Sequence, residues 1–286
     1  MDYPEIIKIK FMPTHDMYWW RGYGIDTREK LIWDVSRDDG IYLISHHSDN
    51  WAIVRTRTDE AYPLVTAVMP TCRGREKMAR YAVEQFLNQS WKEKELIIVN
   101  EGDYWITDGS DINIREVRVQ PGCYRNGTLH NIGDGIARGQ YIIRWDDDDI
   151  HHPDRIKIQA EAAIIHVAPC STLGKRIHYF MDDDIAFVKE TSSCGLILYE
   201  NKGNQYLDGI RGGTDEIFYK EHYQSTTIKL DNWPGIYVRI YHGINQICNR
   251  NHCMAGNSHL QPGEWEVGDC EDYLRSEIKK YREAIK

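Results

Sequence analysis

Residues 141–156 read YIIRWDDDDIHHPDRI. The run Tyr141–Trp145 is apolar enough and short enough for a buried strand, and it leads directly into four consecutive aspartates, Asp146–Asp149. Carboxylates this close raise one another's pKa, and the cost grows beside a buried strand. A divalent cation removes that cost, and Mg2+ and Mn2+ prefer oxygen ligands. Pro153 suits the first turn of a helix, which places the acidic cluster between a strand end and a helix start. If the segment is extended, alternate residues share a face, so that Asp146 would side with Asp148 and Asp147 with Asp149.

Outward from this stretch the chain alternates βα. LVTAVM (64–69), ELIIV (95–99) and IREVRV (114–119) are further strands. Between them, Met78, Ala82 and Phe86 form one helical stripe with Ala79, Val83 and Leu87 beside it, and Leu129, Ile132 and Ile136 mark a second helix closing at Gly139. This predicts a mostly parallel α/β sheet of Rossmann-like type flanked by helices. Its polar loops, Pro70–Arg75, Asn100–Asp103 and Asp146–Asp149, gather at the carboxyl ends of the strands, where open α/β sheets bind ligands.

Before Pro63 the character changes. IIKIKF alternates, and IYLISHH and WAIVRTRT flank a Ser48-Asp49-Asn50 turn. We expect a small β-rich module over 1–62, with Trp19, Trp20, Trp33 and Trp51 as its core or as an aromatic platform. A catalytic domain is expected over 63–270, and a helix over 271–286 with Leu274, Ile278, Tyr281 and Ile285 on one face. A second acidic run, Asp182–Asp184, lies between HYF and IAFV and reads as a solvated turn joining two strands.

Charge and cysteines set bounds. Lys and Arg number 35 against 44 Asp and Glu, a formal net charge of −9, which argues against nonspecific coating of nucleic acid. No apolar run is long enough to span a membrane, and the N-terminus lacks the apolar core of a signal peptide. The seven cysteines are odd in number and scattered, as expected of reduced thiols in the cytoplasm. Cys248, His252 and Cys253 cluster, but no second ligand pair has zinc spacing.

Several motifs in order resemble the family 2 glycosyltransferases of GT-A fold. These are Met69-Pro70-Thr71-Cys72-Arg73 after the first strand, then Asn88-Gln89-Ser90-Trp91, Asn100-Glu101-Gly102-Asp103, and Arg125–Asn131 leading to Ala137-Arg138-Gly139. The DxD-type motif with its Pro-Asp-Arg helix start completes the series. The resemblance implies transfer of a sugar from a nucleoside-diphosphate sugar, most naturally a UDP-sugar, with Mn2+ or Mg2+ as cofactor and inversion at the anomeric carbon. It implies that Pro70, Thr71, Arg73, Glu101, Arg125, Asn131 and Asp147 bind the nucleotide sugar. Glu101 replaces the family's usual aspartate. Asp148, Asp146 and His242 would hold the metal. In Gly212-Gly213-Thr214-Asp215-Glu216, Asp215 would be the catalytic base, and Thr214 departs from the usual Glu. The acceptor is a glycan or another polymer, a hydroxymethylated DNA base among them. A noncatalytic sugar-nucleotide or glycan-binding protein, and a carboxylate-metal nucleotidyltransferase or nuclease, are the alternatives.

Overall fold

β6 (Val65–Thr71) and β7 (Lys94–Asn100) owe their place to composition. Val65, Ala67, Val68, Met69 and Leu96–Val99 are wholly inaccessible, as expected of parallel strands covered on both faces. In the computed structural model, the described residues are 62–286 except 123, 167, 191–193, 208–213, 243–253, 255 and 258. The backbones of five short earlier strands are also described. They fall into two compact units, Met1–Tyr62 with Ile164–Val167, and Pro63–Ala163 with Ala168–Lys286.

In the first unit, β1 (Met17–Trp20) and β2 (Tyr23–Asp26) form an antiparallel pair. β3 (Leu31–Asp34), β4 (Tyr42–His47) and β5 (Asn50–Thr56) form an antiparallel meander, with a register shift between Leu43 and Ile44. The IIKIKF stretch, the side chains of the four tryptophans and the Cys248, His252, Cys253 cluster lie outside the described residues.

The second unit holds two sheets. β8 (Ile114–Arg118) and β9 (Tyr141–Arg144) flank β7 and β6, all parallel, with Thr71 beside Asn100 and Val68 beside Arg144. The sheet continues through β14 (Ile197–Glu200), antiparallel to β9, to β11 (Cys170–Leu173) and β15 (Thr227–Leu230), giving the order β15-β11-β14-β9-β6-β7-β8. The second sheet runs β10 (Ile150–His151), β16 (Tyr237–Tyr241), β12 (Lys175–Phe180), β13 (Ile185–Glu190) and β17 (Trp265–Glu266). β12 and β13 form the hairpin around Asp182–Asp184.

Helices cover these sheets: α1 (Glu76–Leu87), α2 (Asn126–Ile136), α3 (Arg155–Ile165), α4 (Thr214–His222) and α5 (Glu271–Ala284). Met78 and Tyr81 of α1 join Leu274, Ile278 and Tyr281 of α5 in one core with Ile177, Tyr179, Val238 and Ile240 of the second sheet. α2 lies on β6 and β7, with Leu129 against Ile97 and Val99. Among the described residues no helix is long and apolar enough to cross a membrane.

The approach of α2 to β6 is set by Gly133. A Cβ there would lie 2.3 Å from Cγ1 of Val68 and 3.3 Å from Cγ2 of Val99. Valine has little rotamer freedom with which to yield. Gly133→Ala should therefore destabilise the protein by ~1–3 kcal/mol through overpacking, against a helix-propensity gain of about 1 kcal/mol. Chemical denaturation measures this, and a stabilised variant would show that α2 does not pack so closely.

Candidate functional site

β9 delivers the aspartates into a tight turn, not an extended segment, and β10 follows at once. Alternation does not hold in a turn, so the expected pairing of Asp146 with Asp148 and of Asp147 with Asp149 is replaced by another. Arg75 bridges neighbours, with Nη1 at 2.6 Å from Asp147 Oδ1 and Nη2 at 2.5 Å from Asp148 Oδ2. The Tyr237 hydroxyl joins the outer two, meeting Asp146 Oδ2 at 2.9 Å and also Asp149 Oδ2. The Ile240 amide donates to Asp149 Oδ1 at 2.8 Å.

The backbone of the turn is fastened from two helices. Gln85 of α1 donates to the Asp149 carbonyl at 3.2 Å and accepts from the His151 amide at 2.5 Å. Gln89 does the same one turn on, for the His152 carbonyl and the Ile156 amide. Tyr281 of α5 donates its hydroxyl to the Asp148 carbonyl at 3.1 Å. Beneath the turn, Trp145 stacks on His151 at 3.8 Å, and the buried Arg155 lies over the rings of Trp145 and Tyr237.

Burial and neighbouring charge divide the carboxylates. Burial pushes Asp147 up to about 7, moderated by Arg75 and reinforced by Asp148. Burial, then Asp148 and Asp146, push Asp149 up to about 8. Asp146 goes the other way: burial would raise it, but Arg144, Arg239 and the Tyr237 hydrogen bond hold it below the usual carboxylate range. Arg75 keeps its proton despite burial because Asp147 and Asp148 face it.

The structure brings together most, not all, of the residues singled out from sequence. Thr71 ends β6 and donates to Asp147 Oδ2 at 2.6 Å. Pro70 precedes it. Glu101 follows β7, is buried, and accepts from the Tyr124 amide at 3.3 Å. His242 follows β16, and its Nε2 lies 3.0 Å from Asp148 Oδ2. Asp146 is turned from Asp148 toward Tyr237 and Arg144.

Arg73 is exposed and paired with Asp103 at 2.8 Å, while Arg75, two residues on, takes the aspartates. Arg125 stands exposed at the start of α2. The Asn131 carboxamide is occupied at both ends by the main chain of Tyr206, at 2.9 and 2.7 Å. Asp215, in the first turn of α4, forms an ion pair with Arg144, which also reaches Asp146 at 3.4 Å.

Sequence reasoning missed Arg75, Arg144 and Tyr237. Each had a signal. Arg75 lies in the same loop as Arg73, Arg144 is a charge inside an apolar strand, and Tyr237 begins the strand that ends at His242.

Among the described residues no three His, Cys, Asp or Glu side chains form a ready cage. Asp148 with His242 supplies one carboxylate oxygen and one imidazole nitrogen side by side. The carboxylate oxygen suits either Mg2+ or Mn2+, which complete their shells with water and substrate phosphate oxygens, and the imidazole nitrogen suits Mn2+ better than Mg2+.

A sequence model of glycosyl transferase family 2 matches residues 66–230, more than half of the chain. The chain belongs to that family. This family 2 chain is 25% identical over 148 residues to an uncharacterized glycosyltransferase of Rickettsia typhi, covering 47% of this chain and 45% of the relative. It is 28% identical over 102 residues to one of Rickettsia prowazekii, covering 34% and 31%. The chain thus spans less than half the length of the curated relatives it matches. Among solved structures, residues 1–349 of S. aureus TarS in complex with UDP-GlcNAc superpose with a TM-score of 0.51 at 12% identity, over 64% of this chain and 60% of that one. This likeness shows the GT-A fold.

One acid near the site is shifted by its burial. Asp134 of α2 accepts from the Tyr199 hydroxyl at 2.7 Å, and its Oδ1 is buried without a partner. Burial pushes it up to about 7, outweighing the Tyr199 hydrogen bond and Arg144. The fold therefore holds the neutral acid. The stability this gives is complete below the ordinary carboxylate pKa and is lost as pH rises through about 7. Asp134→Asn should match the native protein near pH 4 and exceed it at pH 8 by up to about 4 kcal/mol. Melting curves at the two pH values check this, and an equal difference at both would show that the carboxyl is ionised in the fold.

Proposed function

We propose that the chain is a metal-dependent, inverting glycosyltransferase that moves a sugar from a nucleoside-diphosphate sugar to an acceptor hydroxyl. The observation that carries this is the aspartate turn at the carboxyl edge of the parallel sheet, with Asp148 against His242. A UDP-sugar is the proposed donor, supported by the TarS complex with UDP-GlcNAc. On this reading Pro70, Thr71, Glu101 and Asp147 line the nucleotide side, and Arg75 orients Asp147 and Asp148.

Asp148 and His242 would hold Mg2+ or Mn2+, which supplies Lewis-acid stabilisation of the departing diphosphate. The protein's own part lies in positioning and proton transfer. Asp215 takes the proton of the acceptor hydroxyl as its oxygen bonds to the anomeric carbon. The bond from that carbon to the phosphate oxygen breaks on the opposite face, its electron pair leaving with the nucleoside diphosphate, and the configuration inverts. Arg144 forms an ion pair with Asp215. The acceptor is a glycan or another hydroxyl-bearing polymer, and the protein works in the cytoplasm.

Calorimetric titration with a panel of nucleoside diphosphates, with and without Mn2+, tests the donor side. One nucleotide should bind in a metal-dependent way, and Asp148→Ala should abolish that binding and turnover. Asp215→Asn should lower transfer at least ~100-fold, within the usual range for a lost general base, and leave nucleotide binding intact. Full activity in Asp215→Asn would overturn the base assignment. Absence of nucleotide binding in the native chain would overturn the transferase reading.

A further inference from the structure

The aspartate turn does not account for a group of cations on one face of the second sheet. In that sheet Arg176 pairs with Lys189, and His178 pairs with both Phe187 and Arg239. Directly paired residues share a face, and successive residues alternate. Ile177, Tyr179, Val238 and Ile240 therefore point into the core beneath α1 and α5. Arg176, His178, Lys189, Tyr237 and Arg239 point to the other side, from which the Tyr237 hydroxyl reaches Asp146 and Asp149.

On that side Arg176 Nε donates to His178 Nε2 at 2.8 Å, and His178 Nδ1 lies 3.0 Å from the Tyr241 hydroxyl. An imidazole nitrogen that accepts from an arginine belongs to a neutral ring. Burial, then Arg176, Arg239 and Lys189, hold His178 down at about 2. The histidine is an uncharged spacer among three cations. Arg239 lies 5.5 Å from the Tyr241 ring and forms no ion pair among the described residues.

The carboxylates whose field Arg239 feels, Asp149 and Asp146, have their oxygens engaged elsewhere, by Ile240, Tyr237 and Arg144. Asp149 and Asp146 favour the charged form of Arg239, so the repulsion is felt at Arg176, which burial and then Arg239 push down. An anion seated among them offsets that repulsion, and the planar fork of arginine suits phosphate oxygens.

We propose that Arg239, Arg176 and Lys189 form a subsite for a phosphate group carried by the acceptor, an assignment that rests on the transferase reading above. The nucleotide side is built by loops after β6 and β7 in the seven-stranded sheet. The cation cluster stands on the other sheet, with Tyr237, Asp146 and Asp149 between the two. An acceptor bound there by its phosphate would present a neighbouring hydroxyl toward the aspartate turn.

The test titrates the full chain with inorganic phosphate, followed by 31P NMR line broadening, while saturating UDP fills the donor side. Phosphate should bind with UDP in place. Arg239→Gln and Arg176→Gln should each weaken it about tenfold without changing UDP affinity, and Arg239→Lys should recover part of the loss. Lys189→Gln, at the half-buried rim, should weaken phosphate about threefold and serves if an arginine variant fails to fold.

Unchanged phosphate affinity in the folded variants, or no phosphate binding at all, overturns the subsite. Displacement of phosphate by UDP overturns its assignment to the acceptor, because the anion would then belong to the donor diphosphate. Phosphate binding lost in the variants of a chain that binds no nucleoside diphosphate would confirm the cation site and overturn the acceptor assignment together with the transferase reading.

Discussion

Four adjacent carboxylates in a buried turn are the constraint around which the rest of this structure is arranged. Asp147, Asp148 and Asp149 are nearly inaccessible, so water cannot spread their charge. Removing an ion from water costs several kcal/mol even after relaxation. The fold answers with cations and a hydroxyl: Arg75 ahead of α1 and Tyr237 at the start of β16, both distant in the chain, and Arg144 at the end of β9, two residues before Asp146. None of these lies on the turn itself. The parallel sheet, the second sheet and α1 must therefore all be in place before the turn is tolerable, which makes the site a consequence of the tertiary fold and not of the local sequence.

The compensation is uneven, and the unevenness is chemically useful. Arg144 and Tyr237 keep Asp146 ionised, whereas Asp147 and Asp149 are pushed toward their neutral forms. A turn of four fully ionised aspartates would repel a diphosphate. A turn whose members differ in charge repels it less, and Asp148, which lies beside His242, is the carboxylate that the proposed function assigns to a cation.

The parallel half of the fold was legible because burial on both faces leaves a plain mark, an unbroken apolar run. LVTAVM, ELIIV and YIIRW carry it, and each became a strand. The second sheet was not legible as a sheet. Its strands KRIHYF and YVRIY place Arg176, His178 and Arg239 on one face and core residues on the other, and such alternation says nothing about which strands pair. The aspartate cluster was legible as a candidate site, but its geometry was not, because only the backbone decides whether four residues form a turn or an extended segment. Arg73 and Arg75 show the same limit: two residues apart in one loop, one faces solvent and the other bridges two carboxylates. Asn131 fits the family pattern by position, yet its carboxamide serves the main chain of Tyr206, a partner 75 residues away.

Arg144 shows how the two sides of the proposed reaction are tied. A charged residue at the end of an apolar strand is costly, and its guanidinium is buried with Asp146 on one side and Asp215 on the other, beside the Tyr206 ring. Asp146 belongs to the turn proposed to face the donor, and Asp215 lies in the first turn of the helix proposed to face the acceptor. One buried cation shared by two carboxylates fixes their separation more firmly than two independent pairs would, because moving either leaves the arginine short of charge in a dry environment. On the proposed reading, the spacing between leaving group and base is set by a single side chain on the strand that leads into the aspartates. That gives a physical reason for a charge at a position where the pattern of the strand asks for an apolar residue.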